Sequence, residues 1–266
     1  MSLLPSDMIQ LSRPEHLTPF VRDVFLLEGQ EPDQETILPI YADGFPGIMY
    51  SESQSAVVLH PRNKRLSVFF LFGQTIEPIS LSVQGVFRYV VFQLYPFAAR
   101  LLLGIDPKVL NDDCYDLLKL KQINTRATLG QLSHHPEVHD QVEIIGAFVH
   151  QLVTVSSRHP DHRIKLATNM IIHSKGNISV KELRDRLCIG ERTFERHFAR
   201  EIGVTPKQFA RIIQFNFSLN QLTEADYLSL TDIGYESGFA DQSHFIRTFK
   251  RFTGKTPKEF QRQLSA

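Results

Sequence analysis

The decapeptide Gly-Val-Thr-Pro-Lys-Gln-Phe-Ala-Arg-Ile at 203–212 returns 51 residues later as Gly-Lys-Thr-Pro-Lys-Glu-Phe-Gln-Arg-Gln at 254–263. A repeat of this period means two copies of one supersecondary unit, which restricts the fold more than any other feature of the chain. Leftward at the same offset, Phe194, Arg196 and Phe198 match Phe245, Arg247 and Phe249. Further left, Leu183, Cys188 and Ile189 match Ile233, Gly238 and Phe239 at an offset of 50. The second copy therefore gains one residue between Phe239 and Phe245.

Each copy reads as a helix, a tight turn, a second helix and a stop at Gly-x-Thr-Pro. Ser179 is placed to cap "VKELRDRL", with Glu182 completing a capping box, and Ser229 and Asp232 stand in the same relation ahead of "IGYESG". Cys188 and Gly238 fall where the chain must reverse, and the glycine is free to take a positive φ. The following helices bury Phe194 and Phe198, or Phe245, Phe249 and Phe252, at helical spacing. Their opposite faces carry Arg192, Glu195 and Arg196 in one copy and Gln242, Ser243, Ile246, Arg247 and Lys250 in the other. A helix anchored by aromatics with cations projecting from it is the logic of a helix-turn-helix, which holds one helix rigidly for a major groove. In that geometry Arg192, Arg196 and Arg247 suit guanine edges, Glu195 suits cytosine and Ile246 a thymine methyl. Lys250 and Arg251 suit phosphates.

Charge agrees with this. Residues 160–266 hold 17 Lys and Arg against 12 Asp and Glu, a surplus of five. The whole chain is neutral, so residues 1–159 carry the opposite surplus. Segregated charge points to an anionic partner for the C-terminal half.

Residues 34–95 read as short strands, "ETILPI", "FPGIMY", "SAVVLH", "SVFFLFG" and "VFRYVVFQLY", which predicts a barrel or sandwich. "PFAARLLLG" predicts a short helix ending at Gly104. Residues 125–157 are helical in pattern, with Pro136 opening a helix whose apolar positions are Val138, Val142, Ile145, Val149 and Leu152. That spacing fits either a seam between two chains or a helix packed on its own barrel. "SSRHPD" at 156–161 is the expected linker.

Other chemistries find little support. Before residue 134 only His16 and His60 are available, too few for an imidazole-rich metal site in a barrel. "HHPEVH" and "HPDH" lack zinc-site spacing, and no nucleophile elbow, phosphate-cradling loop or dinucleotide fingerprint occurs. No enzymatic activity, metal or cofactor is expected. Cys114 and Cys188 are too few for a disulfide framework, which fits a reducing, cytoplasmic setting. The N-terminus does not read as a signal peptide, and no run of 18 apolar residues predicts a membrane span.

"DIGYESGFADQSHFIRTFKRFTGKTPKEF" (232–260) resembles the signature of the AraC/XylS family of bacterial transcription regulators almost from end to end. "ISVKELRDRLCIGERTFERHFAREIGVTPKQF" (178–209) is similar to that family's first, more variable unit. Arg184 and Gly234 stand where the family usually has Ala, and Gln214 where Arg is common. Residues 72–120 resemble a cupin-like N-terminal domain of some such regulators. The resemblance implies an α+β chain: a cupin-like β-rich sensor domain (1–122), a helical linker or dimerisation region (123–159), and an all-α DNA-binding domain (160–266). The last would hold two helix-turn-helix motifs joined by a long helix near 206–222. Expected partners are double-stranded promoter DNA, with RNA polymerase, a small-molecule effector and a second copy of the chain as further candidates. No membrane partner is expected, and activation is the family's commoner habit.

Overall fold

The computed structural model describes residues 8–158, 161–224 and 229–264. The expectations that fall on residues 1–7 of the N-terminus and on His159 and Pro160 of the linker lie outside the described residues.

Two antiparallel sheets form the N-terminal half. The larger contains β1 (Met8–Leu11), β2 (Val21–Gly29), β4 (Gly47–Ser53), β7 (Phe69–Phe72), β9 (Phe87–Leu94) and β10 (Cys114–Asp116), in the order β1-β2-β9-β4-β7-β10. The smaller contains β3 (Glu35–Ile40), β5 (Val58–His60), β6 (Lys64–Arg65) and β8 (Ile79–Gln84), in the order β3-β8-β5-β6. All five expected strand runs are present, but β1, β2, β6, β8 and β10 were not among them, although β2 pairs along its length with β9. The larger sheet is covered on both faces. Met49, Phe70, Tyr89 and Val91 face the smaller sheet, whereas Ile48, Phe69, Leu71, Val90 and Phe92 face the helical layer. A strand buried on both sides has no reason to alternate apolar with polar residues, so β2 (VRDVFLLEG) lacks the period-2 signal.

Among the described residues, a cavity between the sheets beside Phe70, Phe72 and Leu81 has a volume of about 10 Å³, no more than one water occupies.

Helix α1 (Ala98–Leu103) ends on Gly104, whose φ of 70° gives the left-handed C-cap that the sequence predicts. After α2 (Thr125–His134) comes α3 (Val138–Val155). Its apolar stripe lies against the outer face of the larger sheet. Val142, Ile145, Val149 and Leu152 are buried there, and the Phe148 ring meets Phe69 edge-on with centroids 4.9 Å apart. Of the two readings of that stripe, the structure shows the packed helix. A seam between chains through these residues is corrected accordingly: they are already covered within one chain.

The C-terminal half is helical: α4 (His162–His173), α5 (Val180–Leu187), α6 (Glu191–Ile202), α7 (Pro206–Glu224), α8 (Leu230–Glu236), α9 (Gln242–Thr253) and α10 (Pro257–Leu264). It does not stand apart from the β-rich half. One apolar cluster runs from the outer face of the larger sheet through α1 and α3 to Phe194, Phe198, Ile202, Val204, Phe209 and Ile213. A second joins Tyr41 and Ala42, in the chain between β3 and β4, to Phe215, Phe249, Phe252 and Phe260. Tyr41 meets Phe260 edge-on at 5.5 Å. Gly44, at φ 81°, lies so close to Phe209 that a Cβ would sit 2.8 Å from its ring. A fragment cut at residue 160 would uncover these surfaces, so the isolated C-terminal half should melt at a lower temperature than the same helices in the full chain.

Ile145 is fully buried, and Ile145→Ala should cost about 2–5 kcal/mol through lost burial and a residual cavity. The melting midpoint of both proteins should be independent of protein concentration. A wild-type midpoint that climbs with concentration, and a variant midpoint that does not, would restore the seam between chains.

Candidate nucleic-acid interface

The two repeats fold into matching helix-turn-helix units, α5–α6 and α8–α9, and the match extends to individual hydrogen bonds. Ser179 Oγ accepts from Glu182 N–H at 3.0 Å to start α5, and Ser229 Oγ accepts from Asp232 N–H at 3.2 Å to start α8. The expected return bond from Glu182 is replaced by an ion pair with Arg186 at 2.6 Å. At the other ends, Ile189 N–H donates to Arg184 carbonyl (3.2 Å) and Phe239 N–H to Gly234 carbonyl (3.0 Å). This closure requires a left-handed residue before the donor. Gly238 supplies it at φ 75° and Cys188 at φ 49°. Positive φ, argued from the sequence for the glycine, is thus found at the cysteine as well.

The extra residue of the second copy sits where the repeat places it. The first turn runs Cys188-Ile189-Gly190 and the second Gly238-Phe239-Ala240-Asp241. The addition gives α9 a side-chain cap, with Asp241 Oδ1 accepting from His244 N–H at 2.7 Å, whereas Gly190 gives α6 none. In the first unit an ion pair crosses the turn instead, from Arg184 to Glu191 at 2.5 Å. Arg184 thus uses the position where the resembled family has Ala to tie α5 to the first turn of α6. Gly234 is buried in α8, and a Cβ there would meet Phe245 at 3.5 Å, an ordinary contact.

Both second helices are strongly amphipathic. Phe194, Phe198 and Ile202 of α6 and Phe245, Phe249 and Phe252 of α9 are buried. Arg192, Glu195 and Arg196 of α6 and Gln242, Ser243, Ile246, Arg247, Lys250 and Arg251 of α9 are all exposed. Each helix therefore brings its expected side chains to solvent on a rigid support. Arg251 differs from its neighbours: its Nη2 lies 3.7 Å from Glu77 Oε1, on the chain between β7 and β8. It faces the β-rich half, and a phosphate contact there would have to displace Glu77.

Sequence reasoning missed the residues that hold α6 from outside. Gln74 Nε2 donates to Ile202 carbonyl at 2.8 Å, and Asn111 Nδ2 donates to Gly203 carbonyl at 3.1 Å. Both close the orphan C-terminal carbonyls of α6 with donors from the β-rich half. Gly203, at φ 93°, packs against Pro107, where a Cβ would come within 2.9 Å of backbone. No local pattern marks Gln74 or Asn111, because their partners lie 128 and 92 residues away. Among the described residues, no three His, Cys, Asp or Glu side chains gather as a metal centre would require.

Comparison with known proteins agrees with this geometry. Residues 183–263 match the family described as "Helix-turn-helix domain", and residues 11–116 match a family described as a domain of unknown function, DUF6597. The transcriptional activator RhaS of Yersinia pestis (strain Pestoides F) is 35% identical over 83 residues, covering 31% of this chain and 30% of RhaS. The chain thus spans about 30% of the length of the curated activators it matches. An HTH-type transcriptional regulator of Staphylococcus aureus (strain MRSA252), SAR0107, is 22% identical over 206 residues, 73% of this chain and 28% of that one. ToxT of Vibrio cholerae has the same two-domain fold, with a TM-score of 0.52 at 14% identity, covering 91% of this chain and 98% of ToxT.

The turn geometry yields three substitutions of opposite sign. Cys188→Gly should stabilise by up to about 1 kcal/mol, since it relieves a left-handed side-chain residue. Gly234→Ala should stabilise by about 0.5–1 kcal/mol, since the methyl group fits and the helix interior gains propensity. Gly238→Ala should destabilise by about 1–3 kcal/mol, because its Cβ would stand 1.8 Å from Asn177 Oδ1 as well as straining φ. Chemical denaturation of the three variants checks the order, and a Gly238→Ala protein as stable as wild type would refute the left-handed turn.

Proposed function

We propose that this chain, whose residues 183–263 are a helix-turn-helix domain of the AraC type, is an effector-responsive transcription regulator that reads promoter DNA with α6 and α9. The observation that carries the reading is the duplicated helix-turn-helix, with buried phenylalanines on one face of each second helix and exposed cations on the other. Two such helices on one rigid chain suit successive major-groove segments on one face of a duplex, about 34 Å apart. Arg192 and Arg196 of α6 and Arg247 of α9 read guanine edges, Glu195 accepts from cytosine, and Ile246 meets a thymine methyl. Lys250 meets phosphate, and Gln242 and Ser243, in the first turn of α9, approach the backbone and flanking base edges.

The curated relatives are transcriptional activators and regulators, which supports a regulatory rather than an enzymatic role. Among the described residues no helix is long and apolar enough to cross a membrane, and a cytoplasmic setting fits a protein that meets promoter DNA. Contact with RNA polymerase follows if the chain activates. Self-association, if it occurs, uses a surface other than the apolar stripe of α3.

Arg196→Ala and Arg247→Ala should each cost about 1–3 kcal/mol of specific binding and relax preference at one base position. Lys250→Ala should weaken all sequences alike and reduce the salt slope by about one unit. Selection of bound sequences from a random pool, followed by titration of the variants, measures both. Unchanged affinity and base preference in Arg247→Ala would sink the assignment of α9.

A further inference from the structure

The cavity beside Phe70, Phe72 and Leu81, between the sheets, is only about 10 Å³ and too small for an organic ligand. Two larger cavities lie instead where the β-rich half meets α4. One, of about 280 Å³, is lined by Arg100, Arg158 and Arg200 but also by Asp161 and Glu201, so its charges largely offset. The other, of about 380 Å³, has a different character. Lys165, Asn169, Ile172 and His173 line it from α4, at helical spacing and therefore on one face. Thr18, Pro19, Arg22, Tyr95 and Phe97 line it from the β-rich half. Three basic side chains border this space and no carboxylate does.

The walls are ordered. Tyr95 and Phe97 are stacked, with centroids 5.8 Å apart and planes 4° from parallel. Lys165 Nζ lies 5.5 Å from the centroid of the Phe97 ring, and the Arg22 guanidinium stacks 4.0 Å from that of Phe45. Asp23 pairs with Arg22 through Nε at 3.2 Å. Even so, burial lowers the Arg22 guanidinium from its ordinary value, with Asp23 acting in the opposite direction. Thr18, Tyr95 and Asn169 add polar groups, so the lining is rich in donors as well as cations. Size, position at a domain junction and the mix of apolar walls with a few polar groups are those of a ligand site.

We propose that this cavity binds a small phosphate monoester, with the phosphate held by Arg22, Lys165 and His173 and its organic body against Tyr95 and Phe97. A dianion matches a border of two fixed cations and an imidazole better than a monocarboxylate does, and phosphate offers acceptors to every donor in reach. A bound phosphate would bridge the two halves, since Arg22 belongs to β2 and Lys165 to the first helix of the DNA-binding half. α4 packs through Ile164, Ala167 and Ile171 into the same apolar cluster as α6, so pinning α4 bears on the placement of α6. The proposal deepens the effector-responsive reading and rests on it for this consequence, but binding itself is read without DNA.

Isothermal calorimetry on the full chain, with no DNA present, tests it using glucose 6-phosphate, phenyl phosphate, inorganic phosphate, glucose and octanoate. At least one phosphate monoester should bind saturably at one site, more tightly than inorganic phosphate, while glucose and octanoate should not bind. Lys165→Met and His173→Gln should each weaken that binding by about tenfold or more, whereas Lys181→Met, on α5, should leave it unchanged. Arg22→Met is expected to abolish binding, but Arg22 also packs on Phe45, so the exposed His173 and half-buried Lys165 carry the test if that variant does not fold. No saturable binding of either monoester would overturn the proposal. So would octanoate binding in their place, or phosphate binding that Lys165→Met leaves intact. A chain that binds the monoester but no DNA would instead refute the regulatory reading and leave the site standing.

Discussion

Helix α7 inserts one aromatic ring into each helix-turn-helix unit, and the placement of both second helices depends on that pair. Phe209 meets Phe198 of α6 with centroids 5.8 Å apart. Phe215 meets Phe249 and Phe252 of α9 at 5.4 and 4.9 Å. All five rings are almost completely buried. Aromatic pairs of this kind add about 0.5–1.5 kcal/mol each beyond their buried area, and their edge-on or tilted geometry fixes orientation as well as distance. Six residues separate Phe209 from Phe215, less than two turns of helix, so one short rigid segment sets the position of both units. The loop at Gly176 and Asn177 adds a second tie. Gly176 lies against the backbone of α7, and Asn177 accepts from Gln214 Nε2 at 3.2 Å while lying against Gly238. Gln214, where the resembled family commonly has Arg, thus ties the loop before α5 to α7, while Asn177 meets the second unit at Gly238.

The β-rich half completes this frame from the other side. It closes the C-terminal carbonyls of α6 through Gln74 and Asn111, and it covers Phe209 with Gly44 and Phe260 with Tyr41. An ion pair between Arg100 and Glu201 at 3.6 Å, near the end of α6, adds a partly buried polar tie between the halves. The result is a chain in which the β-rich half touches both helix-turn-helix units directly. A change at the junction would reach α6 through packed side chains and closed carbonyls rather than through a flexible linker. The cavity between β2 and α4 lies in that junction, and α4 packs into the same apolar cluster as α6.

Much of the helical C-terminal half was legible in the sequence because its information is local. Caps, turn glycines and aromatic spacing act within a few residues, and the repeat presents each signal twice. The helix expected near 206–222 spans Pro206–Glu224, and the residue gained in the second copy lies in the turn before α9. Arg184 was a departure from a pattern until the structure gave it Glu191 as a partner. The β-rich half was read less completely. β2 escaped because a strand covered on both faces loses its alternation, and β10 because three half-buried residues give no pattern at all. The choice between a seam and a packed helix for α3 was undecidable from spacing alone, since both bury the same stripe. The contacts of Gln74, Asn111 and Glu77 with α6 and α9 join residues far apart in the chain, and single-sequence patterns carry no trace of such pairings.

The central claim is that one chain reads two major-groove segments with two differently placed helices. Methylation interference on a selected operator, at a protein concentration where single chains bind, tests it most directly. The account predicts two clusters of guanines whose modification blocks binding, on one face of the duplex and about 10 base pairs apart. One cluster should lose its effect when Arg196 is replaced and the other when Arg247 is replaced. A single cluster, or two clusters that respond together to either substitution, would contradict it.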